Sequence, residues 1–210
     1  MIVKRAICPS CLRPQSTCIC KWIAPVASAV EVLILQHPFE VNNAKGSARL
    51  LHLCLPNSRM VTGEVFDSSV LVPTSKHDIL LYPGTVQGQA LDRPLPPSLP
   101  AALANTLGAP AQIRLIVLDA TWRKSRKMLY LNPLLHRLPR LSLQGLPASS
   151  YRIRKAHSPE QLSTLEATCA ALAQLDGNKE KYQPLLAAFD GFVAQQMGLA
   201  AQALLSHPGR

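Results

Sequence analysis

The chain has 210 residues, a hydrophobic content of 48% and a formal net charge of +10 at pH 7. This length fits one well-buried domain with a small appendage rather than two full domains. No window offers about 18 uninterrupted apolar residues, and the first residues lack the apolar core of a secretory signal, so we expect neither a membrane span nor export. These features predict a cytoplasmic protein, in which cysteines occur as thiols or metal ligands more often than as disulfides.

The first predicted unit is a small head, residues 1–24, ahead of a main domain that spans residues 25–210. Four cysteines in the head follow the pattern C-x2-C-x6-C-x-C, namely Cys8, Cys11, Cys18 and Cys20. Such close pairs can chelate a tetrahedral Zn²⁺ ion without long-range folding. The alternative is a redox-active CxxC, but the thioredoxin-like setting that such a motif needs is missing. We therefore predict a structural zinc site.

In the main domain, predicted strands alternate with predicted helices. The strands cover residues 29–37, 59–66, 78–84, 113–120 and 140–144. The helices cover residues 45–55, 121–131, 158–175 and a final segment from about 182. Residues 92–110, rich in proline and alanine, predict a loop around a short helix. This alternation indicates an α/β fold, with a mostly parallel sheet flanked by helices on both faces.

The last two helices have distinct features. Ser158 and Pro159 predict the start of the first of them, and Gly177 its end. The final helix has one apolar stripe that we predict to be buried, made of Leu185, Phe189, Phe192, Val193, Met197 and Leu204. The remaining cysteines, Cys54 and Cys169, lie in apolar helical stretches and are predicted to be buried thiols.

A basic segment follows the strand at 113–120. No acidic residue occurs between Asp119 and Glu160, yet nine cations do: Arg123, Lys124, Arg126, Lys127, Arg137, Arg140, Arg152, Arg154 and Lys155. An unmixed block of charge more often faces a polyanion than solvent. We therefore predict a nucleic-acid-binding face, the alternative being a basic surface without a partner.

Three polar junctions lie where ligands collect in open α/β sheets, beyond the carboxyl ends of strands. Residues 82–84 (Tyr-Pro-Gly) follow one strand, and residues 119–122 (Asp-Ala-Thr-Trp) follow another. A cationic loop at 151–157 precedes a helix that carries Ser163, Thr164 and Glu166. Neither a GxGxxG turn nor a GxxxxGK[ST] loop occurs, which argues against NAD and P-loop nucleotides.

Each junction also has a simpler explanation. Trp122 could anchor a helix to the sheet, Asp119 could pair with a nearby cation, and Glu166 could be an exposed helix residue. Their co-occurrence beside the basic segment favours a functional site.

The combination of motifs resembles the DTW-domain family, which is named after the D-x-T-W sequence found here at residues 119–122. The CxxC…CxC head, LQHPFE, LYPG and YRIRKAHSPEQLSTLEA accompany it in the family's order, so the resemblance covers nearly the whole chain. It implies a tRNA-uridine aminocarboxypropyltransferase, related to the SPOUT methyltransferases, with its cofactor site in a knotted part of the fold.

The resemblance implies transfer of the 3-amino-3-carboxypropyl group of S-adenosylmethionine to N3 of a tRNA uridine, with release of methylthioadenosine. The expected catalytic residues are Asp119, Thr121 and Trp122. Asp119 would serve as the base for the N3 proton, or instead bind the cofactor's ammonium group. The expected cofactor-binding residues are Tyr82, Pro83, Gly84, Leu118, Asp119, Thr121, Arg152, Ser163, Thr164 and Glu166, with Arg152 for the methionine carboxylate.

The basic segment then becomes the expected tRNA face, formed by Arg123, Lys124, Arg126, Lys127, Arg137, Arg140, Arg154 and Lys155. The head either extends this face or only caps the fold. Two other functions stay open from the sequence. One is an S-adenosylmethionine-dependent RNA methyltransferase, and the other is a zinc-bearing RNA-binding module without catalysis. The oligomeric state cannot be read from the sequence.

Overall fold

A computed structural model describes residues 6–71, 75–83, 109–143 and 162–205. The strands in this part of the chain are β1 (Glu31–Gln36), β2 (Ser58–Thr62), β3 (His77–Leu81), β4 (Ile113–Asp119) and β5 (Arg140–Leu141). The α-helices are α1 (Ala48–Cys54), α2 (Ser68–Leu71), α3 (Trp122–Leu131), α4 (Pro133–Arg137), α5 (Thr164–Asp176) and α6 (Gln183–Leu205). No helix among these residues has the length and apolar character that a bilayer span requires.

The five strands form one sheet in the order β2-β1-β4-β3-β5, and every neighbouring pair is parallel. The predicted α/β fold with a parallel sheet and flanking helices is confirmed. The predicted knot stays a prediction, because the connection from β5 to α5 runs through residues 144–161, which lie outside the described part of the chain.

The sheet is buried on both faces, as parallel sheets generally are. Leu115 and Val117 of β4 face one core, which also contains buried residues of α1, α5 and α6. Ile116, between them, faces a second and smaller core against α3 and α4. This alternation follows from the two-residue period of a strand. It determines which polar side chains at the end of the sheet belong to which face.

Helix α5 begins later than predicted. Ser163 has an extended backbone, with φ −69° and ψ 162°, and is the N-cap, so the helix starts at Thr164 rather than near Ser158. The prediction was wrong because Ser163 and Glu166 repeat the same capping pattern and form a complete capping box. The predicted end at Gly177 is confirmed, with φ 64° at that residue.

The apolar stripe of α6 is confirmed at four positions, since Leu185, Phe189, Phe192 and Val193 are all buried. Met197 is 47% exposed, so its predicted burial was wrong. The side chain of Leu204 lies outside the described part of the chain. The predicted burial of Cys54 and Cys169 is confirmed, and both are free thiols.

The cysteine head packs directly on the main domain. The Trp22 indole fills the space beside Gly191 of α6, where an added Cβ would come within 2.2 Å of the ring. Arg13 donates hydrogen bonds to the Ala44 carbonyl at 2.6 Å and the Gly46 carbonyl at 3.0 Å. Arg49 of α1 donates to the Cys11 carbonyl at 3.3 Å. These contacts favour the head as a rigid cap on the fold.

Candidate functional site

The candidate site lies at the carboxyl edge of the sheet, between β1 and β4. From β1 the chain leads to β2 on one side, and from β4 it leads to β5 on the other. Such a reversal of winding opens a crevice beyond the strand ends, where open α/β sheets bind ligands. The last residues of the two strands, Gln36 and Asp119, are paired in register at this point.

Asp119 is held in this position by hydrogen bonds to both carboxylate oxygens. Gln36 Nε2 donates to Oδ2 at 2.9 Å, and Thr164 Oγ1 donates to Oδ1 at 2.8 Å. The Asp119 side chain is buried, with 5% of the residue exposed. Its two partners come from β1 and the start of α5, which orient the carboxylate from both sides. Its position therefore depends on three separate segments of the chain.

The capping box of α5 determines where Thr164 lies. Ser163 Oγ accepts from the Glu166 amide at 3.2 Å, while Glu166 Oε2 accepts from the Ser163 amide at 2.8 Å. The Ser47 hydroxyl accepts from the Leu165 amide at 3.3 Å, which ties the helix start to α1. Glu166 is buried, so it is not an exposed helix residue, and one of its oxygens serves the cap.

An aromatic pair lies at the same edge. The rings of Tyr82 and Trp122 meet edge to face, with centroids 5.4 Å apart. Trp122 is 48% exposed, so it is more than a buried anchor for α3. Tyr82 is within 3.4 Å of the Ser125 hydroxyl, and burial raises the pKa of the Tyr82 phenol. Thr121 occupies the N-cap position of α3, but its side chain makes no capping hydrogen bond.

The other predicted cofactor-binding residues are placed as follows. Leu118 is half-buried and Pro83 is exposed, both at the carboxyl edge. Gly84 and Arg152 lie outside the described part of the chain, as do the predicted tRNA-binding residues Arg154 and Lys155.

The cations of α3 fall into two groups. Lys124 Nζ lies 3.4 Å from Glu40 Oε1, and Lys127 Nζ lies 2.8 Å from Glu64 Oε2. These carboxylates belong to the segments that follow β1 and β2. The second group consists of exposed arginines that have no ion pair with any described residue: Arg123 and Arg126, joined by Arg137 of α4.

Glu64 also contacts a buried histidine. His37 Nε2 is 2.6 Å from Glu64 Oε1, while His37 Nδ1 accepts from the Phe39 amide at 3.2 Å. The Nδ1 contact places the ring proton on Nε2, which donates to Glu64. The hydrogen bonds from Lys127 and His37 lower the pKa of the Glu64 carboxyl. This chain of contacts fixes α3 against the ends of β1 and β2.

Arg140 was expected on the tRNA face but is buried. It is the first residue of β5 and is only 9% exposed. Its guanidinium carbon lies 5.2 Å from the centroid of the Tyr82 ring. Burial lowers the pKa of the Arg140 guanidinium. A run of charge in the sequence cannot distinguish a cation on a helix surface from one that begins a strand.

Gln36 is a site residue that the sequence analysis did not identify. It ends the apolar strand β1 and is 5% exposed. A lone polar residue at the end of such a run was the available signal. Its partner, Asp119, is 83 positions away, so only the pairing of β1 with β4 brings them together.

The four head cysteines form a compact sulfur cluster whose ligand atoms all lie within 4.8 Å of one another. Cys8 and Cys20 sulfurs are 3.5 Å apart, and Cys11 and Cys18 sulfurs are 3.7 Å apart. A tetrahedral zinc site with bonds of about 2.3 Å has sulfur–sulfur edges of roughly 3.8 Å, so the cluster fits this ion. Hydrogen bonds from the backbone of Cys11 and Ser10 lower the pKa of the Cys8 thiol to about 6, whereas burial raises the pKa of the Cys20 thiol to about 12.

The structure is that of an α/β protein with a cluster of polar and aromatic side chains at the carboxyl edge of its sheet and four thiols that could hold a metal ion. The DTW domain model matches residues 5–197. The chain therefore belongs to the DTW domain family.

Several relatives match over much of the chain. It is 28% identical to "tRNA-uridine aminocarboxypropyltransferase 2" of Macaca fascicularis over 216 residues, covering 97% of this chain and 67% of the relative. The mouse protein of the same name is 29% identical over the same shares. The Drosophila melanogaster protein of that name is 28% identical over 87% of this chain and 72% of its own length. No solved structure matches significantly.

Proposed function

We propose that this protein transfers the 3-amino-3-carboxypropyl group of S-adenosylmethionine to N3 of a uridine in tRNA. The names of its relatives support an aminocarboxypropyltransferase acting on tRNA uridine. The observation that carries the proposal is the buried Asp119 carboxylate, oriented by Gln36 and Thr164 at the switch point of the sheet. A polar group fixed at that point, beside an exposed basic helix, suits a reaction between a small charged donor and RNA.

The residues at the carboxyl edge fit this donor. Asp119 provides a negative charge for the ammonium or sulfonium groups, and the half-exposed Trp122 against Tyr82 provides aromatic surface. Arg140, buried beside Tyr82, provides a positive charge. When bound, S-adenosylmethionine supplies the transferred group on a sulfonium centre whose leaving group is methylthioadenosine. The protein must hold the side arm so that its γ-carbon, rather than the methyl carbon, meets the nucleophile.

Asp119 is the base in this proposal. It accepts the N3 proton of uracil as the nitrogen forms its bond to the γ-carbon and the carbon–sulfur bond breaks with its electron pair going to sulfur. Such general-base assistance contributes about 10²–10⁴-fold to a rate. The rival role, binding the donor's ammonium group, predicts weaker donor binding when the carboxylate is neutralised.

The arginines of α3 and α4 form the proposed RNA contact. Arg123 and Arg126 are one helical turn apart and exposed, so they can follow a phosphate backbone. Arg137 adds a further exposed cation. RNA affinity that rests on such contacts falls steeply with salt, because counterions are released on binding. The proposed compartment, in line with a tRNA substrate and thiol cysteines, is the cytoplasm.

The head is proposed to hold one structural Zn²⁺ ion. Four thiolates complete a tetrahedral shell and leave no position for substrate, which is typical of a structural site rather than a catalytic one. Its chemistry would be limited to fixing the fold of residues 6–24 against α6.

The test is incubation of unmodified tRNA with the protein and S-adenosylmethionine, followed by mass spectrometry of the nucleosides and the small-molecule product. We expect uridine that is heavier by one aminocarboxypropyl group, together with methylthioadenosine. S-Adenosylhomocysteine and methylated uridine would instead identify a methyltransferase. Binding of tRNA without any product or donor binding would identify a non-catalytic RNA-binding module.

A further inference from the structure

Arg140 lies beside Tyr82, one ring of the aromatic pair at the carboxyl edge. It pairs in register with Leu80 of β3, so its side chain lies on the same face of the sheet as Leu80 and Tyr82. That face carries α3 and the half-exposed Trp122. The guanidinium reaches towards the carboxyl edge, with Nη1 lying 3.5 Å from the Pro83 carbonyl oxygen.

The described part of the chain gives the guanidinium no anion. Its Nε is fully buried and has no hydrogen-bond partner among the described residues, and the 3.5 Å contact to Pro83 is at the limit of a hydrogen bond. No described carboxylate forms an ion pair with it. Stacking on Tyr82 satisfies the flat face of the group but none of its N–H donors. Burying a cation without a counterion destabilises the folded state. The ligand-free protein therefore bears an electrostatic cost at this position.

Arg114, in the same sheet, is a buried arginine whose guanidinium is paired with a carboxylate. It is 3% exposed, and its Nε and Nη2 each donate to a different oxygen of Asp78 at 2.6 Å. This two-point pairing is the preferred recognition of a carboxylate by arginine. Arg114 lies at the amino end of β4, and its carboxylate comes from the neighbouring strand β3. Arg140 is comparably buried, but the described chain supplies no equivalent of Asp78.

We propose that Arg140 binds the carboxylate of the donor's 3-amino-3-carboxypropyl arm. This inference rests on the proposed function and gives to Arg140 the role that the sequence analysis expected of Arg152. The ligand is a carboxylate because the guanidinium presents paired N–H donors in one plane, which match two carboxylate oxygens. Fixing the carboxylate end of the arm orients its γ-carbon and thereby discriminates against methyl transfer. Arg140 is thus a donor-binding and specificity-determining residue.

Calorimetry with two donors tests the assignment. S-Adenosylmethionine has the carboxylate, whereas decarboxylated S-adenosylmethionine keeps the ammonium and sulfonium groups but lacks it. We expect Arg140→Gln to weaken binding of S-adenosylmethionine by about 10- to 100-fold, the usual loss for a charge-assisted hydrogen-bonded contact. Binding of the decarboxylated compound should stay the same. Arg59→Gln, which removes an exposed arginine of β2 at the opposite side of the sheet, is the matched control and should change neither affinity.

The other results would overturn the assignment in distinct ways. Equal weakening for both compounds would mean that Arg140 only supports Tyr82. Unchanged donor binding with weaker tRNA binding would make it a phosphate contact. If the unaltered protein binds neither compound, the proposed function fails as well, whereas wild-type binding with no difference in Arg140→Gln removes only this inference.

A second measurement covers the folding of the variants. Because no described residue supplies an anion to the buried guanidinium, Arg140→Met should leave the thermal midpoint of the ligand-free protein unchanged or raised. It should also reduce the rise in that midpoint on adding S-adenosylmethionine. A strongly lowered midpoint without ligand would show that Arg140 is a structural residue, which contradicts the inference.

Discussion

The two edges of the sheet use the same kinds of charged residue in opposite ways. At the amino edge, Arg114 pairs with Asp78, and Lys76 Nζ lies 2.8 Å from Glu31 Oε2. At the carboxyl edge, no described carboxylate pairs with Arg140, and Trp122 is half-exposed. The described chain therefore supplies an anion to the buried arginine at the amino edge and none to the one at the carboxyl edge. On the assignment proposed above, the difference separates a structural edge from a functional one.

The largest effect is expected from Asp119→Asn at the carboxyl edge. This change keeps the size of the side chain but removes the base, so turnover should fall by about 10²–10⁴-fold. Far-ultraviolet circular dichroism should match that of the unaltered protein, which checks that the variant is folded. Steady-state product formation measures the loss, and calorimetry with S-adenosylmethionine separates the two roles. Full activity would refute the assignment, and weaker donor binding would favour the ammonium role.

At the amino edge, Asp78→Asn should lower the free energy of unfolding and leave the turnover of the folded protein unchanged. Removing the charge of one partner in a buried ion pair costs about 3–5 kcal/mol, because the attraction of Asp78 no longer offsets the cost of burying the Arg114 guanidinium. Denaturant unfolding measures this change. Arg140→Met, at the other edge, is the matched comparison and should not destabilise the ligand-free protein. Equal destabilisation of the two variants would contradict the proposed difference between the two edges of the sheet.

The cysteine head should behave as a structural centre. Elemental analysis should return one zinc per chain, and Cys18→Ser should lower that ratio. Chelation should reduce the thermal midpoint, because structural zinc contributes directly to folding. Cys169→Ser, a change at a buried thiol outside the cluster, should leave the zinc content unchanged. Carefully prepared protein without zinc would remove the metal assignment.

Thr164→Val should have a smaller effect, through the orientation of Asp119. The substitution is nearly isosteric but removes the 2.8 Å hydrogen bond to Oδ1. A hydrogen bond to a charged group is worth about 1.5–3 kcal/mol, so kcat should fall by roughly 10- to 100-fold. Thr168→Val, one turn further along α5, is the control because that hydroxyl donates to the Thr164 carbonyl instead. Equal losses in both variants would point to general damage of the helix.

The smallest effects are expected when cations of α3 are changed in pairs. Changing both Arg123 and Arg126 to Gln should reduce the slope of log affinity for tRNA against log salt by roughly 1.4–1.8, the value for two lost phosphate contacts. Changing Lys124 and Lys127 to Gln should reduce it less, because both already pair with carboxylates of this chain. Filter binding at several salt concentrations measures both slopes. A larger change in slope for the lysine variant would contradict the proposal that Arg123 and Arg126, rather than the two lysines, contact RNA.

The sequence predicted those features that depend on local pattern. The apolar run at 113–119, the helix at 122–131 and the thiol cluster all follow from neighbouring residues. The convergence of Gln36, Asp119 and Thr164 could not be predicted in this way, since it depends on strand order and on the exact start of α5. Two serines in series, Ser158 and Ser163, carry similar capping patterns, and only the folded chain distinguishes them.

The cations of the basic segment lie in different surroundings, which the charge pattern alone did not predict. The basic segment does place exposed arginines on one helix, at Arg123 and Arg126. Two of its lysines instead pair with Glu40 and Glu64, which lie more than fifty positions away in sequence. Arg140 begins a strand and is buried. Net charge predicts the class of partner, but contacts between distant segments decide which cations can meet it.

The Asp119 contacts also determine when the site can form during synthesis of the chain. Gln36 and Thr164, which donate hydrogen bonds to it, are 83 and 45 positions away along the chain. A nascent chain that has not yet released residue 164 from the ribosome cannot assemble the site, even when its strands are complete. Turnover is therefore a stringent reporter of completed folding, more so than helix content or bound metal.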